Sequence, residues 1–518
     1  MPRTLTRLAG PALAVALMAT GLAGPAHAAT QTSRADRAAA ALARAKALFD
    51  GRTGKAAAAP GRDATFVLLD LRRLRSALPA AERAEADRIL ARPTDGAGDP
   101  SGDGYTVPEA TPVCGAHVCV HYVTTTADKV PGADGNHNGV PDFVEKTRST
   151  LESVHKTYVN AGYRAPKSDG TQGGDARTDI YLTQTGDDGF YGYCTSDDPS
   201  TAHDVWSYCV LDNGFQHSEF PTNTPTENLQ VTAAHEYYHA VQFAYDIDDD
   251  HWFMEATATW AEDELYDSVN DNRQYLSSGQ LGEPYNPLDT WSGSIHYGNW
   301  IFFRYLTEKW PSSAGGMPTI VRSMWRQADG AAGAPNQYSI EAVKSVLAGK
   351  KTSFAKEFSL FTARNRFARK FYDEGSKQHY PQSRIGQTLT LGQRGFTNRA
   401  DITLSHQISY SLRVKPSHVT GSRKLQVLVY LGAGHHDTSV VVDWISKKGK
   451  HTFKIVKVNA QGNGSVKVPF ANAKTQSIVA TAVNSSTRYT CGQGTVFSCQ
   501  GTSLDDSLVI GMKFKTTP

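Results

Sequence analysis

The chain has 518 residues, of which 40% are hydrophobic and 20% charged, and its 53 basic and 51 acidic residues leave a formal net charge of +2. This near-neutral balance argues against nucleic acid or a membrane surface as the main partner. The length is enough for about two or three domains.

Residues 1–28 have the composition of a secretory signal peptide. Two arginines come first, residues 11–22 are nearly all apolar, and an Ala-His-Ala cleavage signal ends the stretch. A membrane anchor is the alternative, but the apolar run is short and interrupted by glycine and proline. No later segment has the roughly 18 consecutive apolar residues that a spanning helix needs. We therefore expect a secreted, extracellular protein with no membrane span.

Residues 29–105 are rich in alanine and arginine and contain neither cysteine nor tryptophan. Helices are predicted at 38–49 and at 80–90, the second after Pro79, and the run 92–104 is rich in turn residues. A small helical pro-segment between a signal peptide and a larger domain suggests a propeptide, with a cleavage site between about 94 and 112. A permanent N-terminal helical domain is the alternative.

Residues 106–380 combine long helical patterns with short strands, which predicts an α+β domain. The helices are expected at 143–159, 226–245, 252–266, 297–309 and 354–372, and the strands at 178–182 and 205–211. Thr226 is the expected N-cap of the second helix.

Residues 381–518 alternate apolar and other residues with period two, as in Leu425, Val427 and Val429, and glycine, asparagine and serine mark the turns. Short strands at this spacing predict a C-terminal all-β sandwich. Binding of a surface or glycan ligand, stabilisation and cell-surface association are all open roles for it.

The six cysteines form three close pairs along the chain: Cys114 with Cys119, Cys194 with Cys209, and Cys491 with Cys499. Short, even spacing in an exported chain favours three local disulfides. A thiolate zinc site is the alternative, but no C-x-x-C pair is present.

Residues 235–239 read His-Glu-Tyr-Tyr-His, which has the form H-E-x-x-H. Two histidines four residues apart on a helix lie on one face, one turn above the other. That spacing allows both imidazoles to reach one zinc ion, while the glutamate faces the metal-bound water. The motif therefore predicts metal-assisted hydrolysis, most often of a peptide bond.

Catalytic zinc takes three protein ligands and leaves a position for water. Glu255, in the next predicted helix, is the best candidate for the third ligand, and Glu262 is its rival. The stretch Trp252-x-x-Glu255-x-x-Ala258-x-Trp260-x-Glu262 resembles the third-ligand helix of the gluzincins, especially the W-L-N-E-G-x-A-x-Y-x-E pattern of the zinc aminopeptidases.

The resemblance covers residues 235–264. It implies a secreted bacterial zinc metallopeptidase with a zincin-like catalytic domain, divergent from the thermolysin and aminopeptidase families. In that reading His235, His239 and Glu255 bind zinc, and Glu236 is the general base.

Two departures from the gluzincin pattern refine this expectation. Thr259 replaces the thermolysin-type acid, so Glu262, Asp263 or Asp246 is expected to orient a ligand histidine. No G-x-M-E-N segment, which recognises the substrate amino terminus in the aminopeptidases, occurs in the chain. We therefore favour an endopeptidase acting on protein or peptide substrates. An aminopeptidase-like exopeptidase, and an inactive peptidase scaffold that binds an extracellular ligand, are the alternatives.

Such an enzyme also needs a donor for the developing oxyanion. His296 and Tyr297, at the start of an apolar helix, occupy a suitable place in chain order. A capped helix start with a packed tyrosine is the alternative.

A second metal motif lies at 134–145, which fits D-x-[DN]-x-[DN]-G-x5-E at every fixed position. In loops of the EF-hand type such positions bind a structural calcium ion. The expected ligands are Asp134, Asn136, Asn138, the carbonyl of Val140, Asp142 and Glu145. An Asn/Gly-rich turn that Asp142 caps is the alternative, and Pro141 departs from the usual pattern.

Overall fold

The computed structural model of the protein describes residues 33–49, 64–95 and 104–518. The predicted signal peptide at 1–28, and part of the turn-rich run before residue 104, lie outside the described residues. Across the described ranges, no helix is both long enough and apolar enough to cross a membrane.

Three helices form the N-terminal part: α1 (Arg34–Phe49), α2 (Thr65–Leu74) and α3 (Ala80–Ile89). The first and third confirm the predicted helices, and α3 begins directly after Pro79. Their apolar sides share a hydrophobic core with one another and with one face of the following sheet.

The first large sheet has five strands: β1 (Val113–Cys114), β2 (Val118–His121), β3 (Thr178–Thr183), β4 (Gly192–Thr195) and β5 (Tyr208–Asp212). Their spatial order is β1-β2-β3-β5-β4, with β3 parallel to both neighbours and β1 and β4 antiparallel to theirs. Strand β5 begins later than predicted, because Val205 donates its N–H to the Phe243 carbonyl (2.9 Å) at the end of a helix.

Helices cover both faces of this sheet. Tyr181 and Tyr208 pack against the N-terminal helices, whereas Ile180 and Leu211 pack against the helical core on the other face. Neighbouring residues of a strand point to opposite faces, so both faces must be covered to keep these side chains dry.

Nine further helices were found among the described residues after β1. They are α4 (Asp142–Asn160), α5 (Pro225–Phe243), α6 (His251–Tyr266), α7 (Ile295–Gly298), α8 (Trp300–Lys309), α9 (Thr319–Gln327), α10 (Ser339–Gly349), α11 (Phe354–Asn365) and α12 (Ala368–Phe371). A small hairpin of β6 (Ser313–Ala314) and β7 (Met317–Pro318) precedes α9.

Two predicted helices are each divided in two. Asn299 separates α7 from α8, and its side chain donates to the Leu288 carbonyl (2.7 Å) and accepts from Gln280 (2.9 Å). Residues 366 and 367 separate α11 from α12, where the buried Arg366 side chain bonds Ser411 (2.7 Å). Contacts with distant residues interrupt both helical patterns.

The N-cap of helix α5 lies two residues earlier than expected. Thr224, not Thr226, is the N-cap: its hydroxyl accepts from Glu227 N–H, and the Glu227 carboxylate accepts from Thr224 N–H. Pro225 follows at the first helical position, which suits its fixed φ and missing N–H.

The C-terminal part is all-β. Its strands are β8 (Gln387–Leu391), β9 (Ala400–Leu404), β10 (Ile408–Pro416), β11 (Lys424–Tyr430), β12 (Thr438–Ser446), β13 (His451–Ile455), β14 (Asn463–Pro469), β15 (Thr475–Asn484), β16 (Tyr489–Thr490), β17 (Thr502–Ser503) and β18 (Leu508–Thr517). Two sheets, ordered β13-β12-β15-β10-β8 and β14-β11-β18-β9, share one hydrophobic core. The period-two strands predicted from the sequence are confirmed.

All three predicted disulfides are present: Cys114–Cys119, Cys194–Cys209 and Cys491–Cys499. The last one closes a loop of the all-β part that reaches the helical part. There Val496 accepts a hydrogen bond from Trp291 N–H (2.9 Å), and Ser498 accepts one from the Trp252 indole (3.1 Å). The Cys499 N–H donates to Asp250 (2.8 Å), the residue before α6.

Candidate metal centre

Helices α5 and α6 pack side by side and bring the three predicted zinc ligands together. His235 and His239 lie one turn apart on α5, with ring centroids 4.8 Å apart. Glu255 on α6 places Oε2 3.0 Å from His235 Nε2 and 3.9 Å from His239 Nε2. One donor atom from each residue lies within 4.8 Å of the others, so this group could hold a metal ion.

In each histidine, Nε2 faces Glu255 and the other ring nitrogen, Nδ1, lies beside an acceptor of its own. His235 Nδ1 lies 2.7 Å from Glu262 Oε1, and His239 Nδ1 lies 2.7 Å from Gln242 Oε1. A carboxylate or amide oxygen only accepts, so in the neutral imidazole each Nδ1 carries the proton and each Nε2 presents a lone pair. Those two lone pairs face the Glu255 carboxylate, which is the arrangement that a bound cation stabilises.

The orientation of the Gln242 amide is itself fixed. Its Nε2 donates to the Met254 carbonyl (2.9 Å) and to the Thr257 hydroxyl (3.1 Å), both on α6. Its oxygen therefore has to face His239. Gln242 was missed in the sequence, where the only available signal is a polar residue three positions after His239 in an apolar helix.

Of the three acids expected to orient a ligand histidine, Glu262, Asp263 and Asp246, each has a different partner in the structure. Glu262 bonds His235 Nδ1 and is therefore the acid that orients this histidine, whereas Glu255 is the carboxylate grouped with the two histidines. Asp263 pairs with Arg304, and Asp246 faces His203 (3.4 Å). Two nitrogens and one carboxylate oxygen are donors that zinc binds, so the residues present fit that ion.

Of the predicted catalytic residues, Tyr297 reaches the centre. Its hydroxyl lies 3.4 Å from Glu255 Oε1, and its ring centroid lies 6.2 Å from that of His235. The His296 ring lies beside Tyr297 (4.3 Å between centroids) and faces Trp291 (6.2 Å). Tyr297 therefore contacts the candidate centre and His296 lies beside it, while an oxyanion-donor role for either stays a prediction.

The N-terminal segment covers the centre. Thr65, the first residue of α2, places its hydroxyl 3.5 Å from Glu236 Oε2, and the Thr65 hydroxyl oxygen accepts a hydrogen bond from Cys194 N–H (3.0 Å). The neighbouring Phe66 ring stands edge-on to the His239 ring at 5.7 Å. As a result, His235, Glu236, His239, Glu255 and Tyr297 are only 0% to 3% exposed.

The predicted calcium ligands lie on the loop before α4 and, for Asp142 and Glu145, in the first turn of α4, and hydrogen bonds among them hold the loop together. Asn136 and Asn138 donate their amides to the two oxygens of Glu145 (2.9 Å each), and Asp134 accepts from Gly139 N–H (2.9 Å). Asn138 Oδ1 accepts from Val140 N–H (2.9 Å), and Asp142 accepts from Gly135 N–H (3.0 Å). Calcium binding at this loop stays a prediction.

Within the described ranges, three other groups of side chains are close enough together to hold an ion. One contains the disulfide-bonded Cys114 and Cys119, and the other two include partly exposed residues around Asp246 and Asp263. Only the centre on α5 and α6 combines complete burial with two histidines that have fixed ring orientations.

No family model matches the chain, and no curated protein matches it. Among solved structures, the pre-peptidase C-terminal domain of collagenase from Bacillus anthracis aligns with 26% of this chain and 100% of that chain, at 9% identity and a TM-score of 0.16. A family GH115 4-O-methyl-alpha-glucuronidase with specificity for decorated arabinogalactans aligns with 69% of this chain and 54% of that chain, at 8% identity and a TM-score of 0.14. Similarity this low supports no inference about function.

Proposed function

We propose that this protein is a secreted, zinc-dependent peptidase of gluzincin type that hydrolyses internal peptide bonds of protein substrates. The observation that carries the proposal is the convergence of His235, His239 and Glu255, with each histidine oriented from behind by a buried acceptor. The three disulfides are typical of exported proteins and support secretion.

The roles of the residues follow from their chemistry. His235, His239 and Glu255 would hold the zinc, which would supply Lewis acidity toward a substrate carbonyl and lower the pKa of water toward neutral. Glu236 takes a proton from the attacking water and passes it to the nitrogen of the leaving amine as the C–N bond breaks. The Tyr297 hydroxyl donates a hydrogen bond to the oxygen that gains negative charge.

The preference for internal bonds rests on the missing amine anchor. An aminopeptidase needs acidic side chains that bind the free amino terminus of its substrate, and the G-x-M-E-N segment that supplies them in the gluzincin aminopeptidases does not occur in the sequence. Analysis of the products decides the matter, because stepwise loss of single residues from one end would establish an exopeptidase instead.

The test is cleavage of an unstructured protein by wild-type protein and by Glu236→Gln. We expect loss of about 1000-fold or more in the variant, since the general base and the water that it activates act together. Glu341→Gln, on the remote helix α10, is the matched control and should cleave like wild type. Because Thr65 and Phe66 cover the site, each protein is also assayed in a Phe66→Ala background.

Chelation followed by zinc addition completes the experiment. Cleavage should stop on chelation and return with zinc, while Glu236→Gln should bind zinc as wild type does. If Glu236→Gln cleaves as fast as wild type, the mechanism is wrong. If no form of the chain cleaves but zinc still binds, the inactive extracellular binding scaffold becomes the better account.

A further inference from the structure

An aromatic pocket adjoins the metal centre. The Phe66 ring occupies it, with centroid distances of 4.3 Å to His251, 5.7 Å to His239 and 6.3 Å to Trp291. The His251 and Trp291 rings also contact each other, at 4.7 Å. Phe66 is only 3% exposed, so its ring is almost completely buried among these and the neighbouring core residues.

The walls of this pocket belong to elements that are fixed independently of Phe66. His239 lies on α5 and His251 at the start of α6. Trp291 is held by the disulfide-closed loop of the all-β part, through the hydrogen bond from its N–H to the Val496 carbonyl (2.9 Å). Because this bond does not involve Phe66, the pocket is expected to keep its shape when Phe66 leaves, as a preformed binding pocket requires.

The position of the occupant relates the pocket to the chemistry. Thr65, one residue before Phe66, lies 3.5 Å from the carboxylate of Glu236, the proposed general base. Phe66 itself packs against His239, a proposed zinc ligand. Backbone that carries a side chain into this pocket therefore passes directly beside the catalytic groups, and a substrate cannot enter while residues 65 and 66 are there.

We propose that this pocket is the subsite for a large aromatic or branched apolar side chain of the substrate, next to the bond that is cut, and that Phe66 fills it in the intact chain and keeps the peptidase latent. The proposal rests on the proposed peptidase function. The His239, His251 and Trp291 rings that contact Phe66 form the walls of the pocket, so it suits an uncharged ring better than an acidic side chain.

The N-terminal segment is held in place at other points too. Its helices share a core with Tyr181, Tyr193 and Tyr208 of the sheet, and Arg92 is buried among aspartates of the larger domain. A cut in the turn-rich run alone therefore leaves Phe66 in the pocket. Activity requires that residues 65 and 66 leave the centre, and loss of the Phe66 ring removes the contact that holds them there.

The first experiment compares two side-chain substitutions in α2, both made in the full-length protein. Phe66→Ala empties the pocket, whereas Leu68→Ala removes a similar amount of buried apolar surface that packs among the N-terminal helices. We expect zinc-dependent cleavage to rise by at least about tenfold in Phe66→Ala relative to Leu68→Ala. Thermal unfolding verifies that both variants fold. An equal effect of the two variants on cleavage would overturn the proposal.

The second experiment measures binding without turnover. Zinc-loaded protein carrying both Glu236→Gln and Phe66→Ala is titrated calorimetrically with end-blocked Ala-Ala-Phe-Ala and with end-blocked Ala-Ala-Ala-Ala. The phenylalanine peptide should bind at least about tenfold more tightly, and adding Trp291→Ala should abolish the difference. Equal affinities in the protein with an intact Trp291 would overturn the subsite.

The two experiments separate this proposal from the proposed function. If no variant cleaves in a zinc-dependent way, the peptidase assignment fails, and latency with it. If zinc-dependent, Glu236-dependent cleavage is present but neither Phe66→Ala nor the peptide pair shows the expected difference, the peptidase stands and the subsite is refuted.

Discussion

Replacing Arg92 by methionine removes the charge that holds three carboxylates together, two of them buried. The guanidinium is fully buried and bonds Asp169 (2.6 Å), Asp197 (2.8 Å) and Asp179. Methionine keeps most of the apolar stem but leaves these carboxylates without their cation. Breaking a buried ion pair by removing one partner costs roughly 3–5 kcal/mol, so we expect the free energy of unfolding to fall by about that amount.

The pH dependence of this loss has a definite sign. Burial raises the pKa of Asp169 to about 6 even though Arg92 opposes the shift. A raised folded-state pKa stabilises the protonated form, so that contribution is present at low pH and is lost as the pH rises through about 6. Without Arg92 the Asp169 carboxyl is harder still to ionise, so the penalty is largest near pH 7.5 and smaller near pH 5, where more of Asp169 is protonated.

Urea unfolding at the two pH values measures the effect. Arg83→Met, at an exposed arginine of the same segment that bonds the Ser76 and Leu78 carbonyls, is the control and should lose less than about 1 kcal/mol. The reasoning is refuted if Arg92→Met lowers the free energy of unfolding no more than this control does, or if its effect is greater at pH 5.

A wild-type chain cut between residues 94 and 112 should also keep its N-terminal fragment bound during gel filtration.

Two further predictions concern the metal centre and the sheet. Glu262→Gln should weaken zinc binding by about 10–100-fold in a competition titration with a chromogenic chelator, because the acceptor behind His235 loses its charge; unchanged affinity would contradict its orienting role. Burial disfavours the charged form of His121, but hydrogen bonds to Asp179 and Glu109 outweigh it and raise its pKa to about 9. Its stabilising contribution, roughly 3 kcal/mol, is complete below about pH 6.5 and is lost as the pH rises through about 9. Wild type should therefore lose thermal stability over that range, and His121→Gln should not; parallel curves would show that the ion pairs are unimportant.

The elements that the sequence predicts well are those set by local chemistry. The period-two strands of the all-β part and helices α4, α5 and α6 all appear at the expected places, because side-chain periodicity and capping act within a few residues. The breaks at Asn299 and Arg366 could not be predicted, since both depend on partners brought close only by the fold.

Part of the candidate metal centre could likewise be predicted from the sequence, and part could not. Helical spacing and the gluzincin resemblance lead to His235, His239 and Glu255. The role of Gln242 depends on the Met254 carbonyl of another helix, which no spacing reveals.

The cover over the site was entirely hidden in the sequence. Thr65 lies 171 residues before Glu236, and nothing in the pattern around Phe66 distinguishes it from an ordinary core phenylalanine. The same holds for the disulfide-closed loop that supports Trp291, since a β-sandwich pattern says nothing of what its loops contact. Long-range contacts of this kind follow from the packing of whole elements.

The most direct test of the central claim is the zinc content of the chain after metal depletion and refilling, measured by elemental analysis. We predict about one tightly bound zinc per wild-type chain, as three protein ligands at one centre imply. The chain carrying both His235→Ala and His239→Ala, shown to be folded, should retain almost none. Wild-type protein without zinc, or equal zinc in the two proteins, would contradict the account.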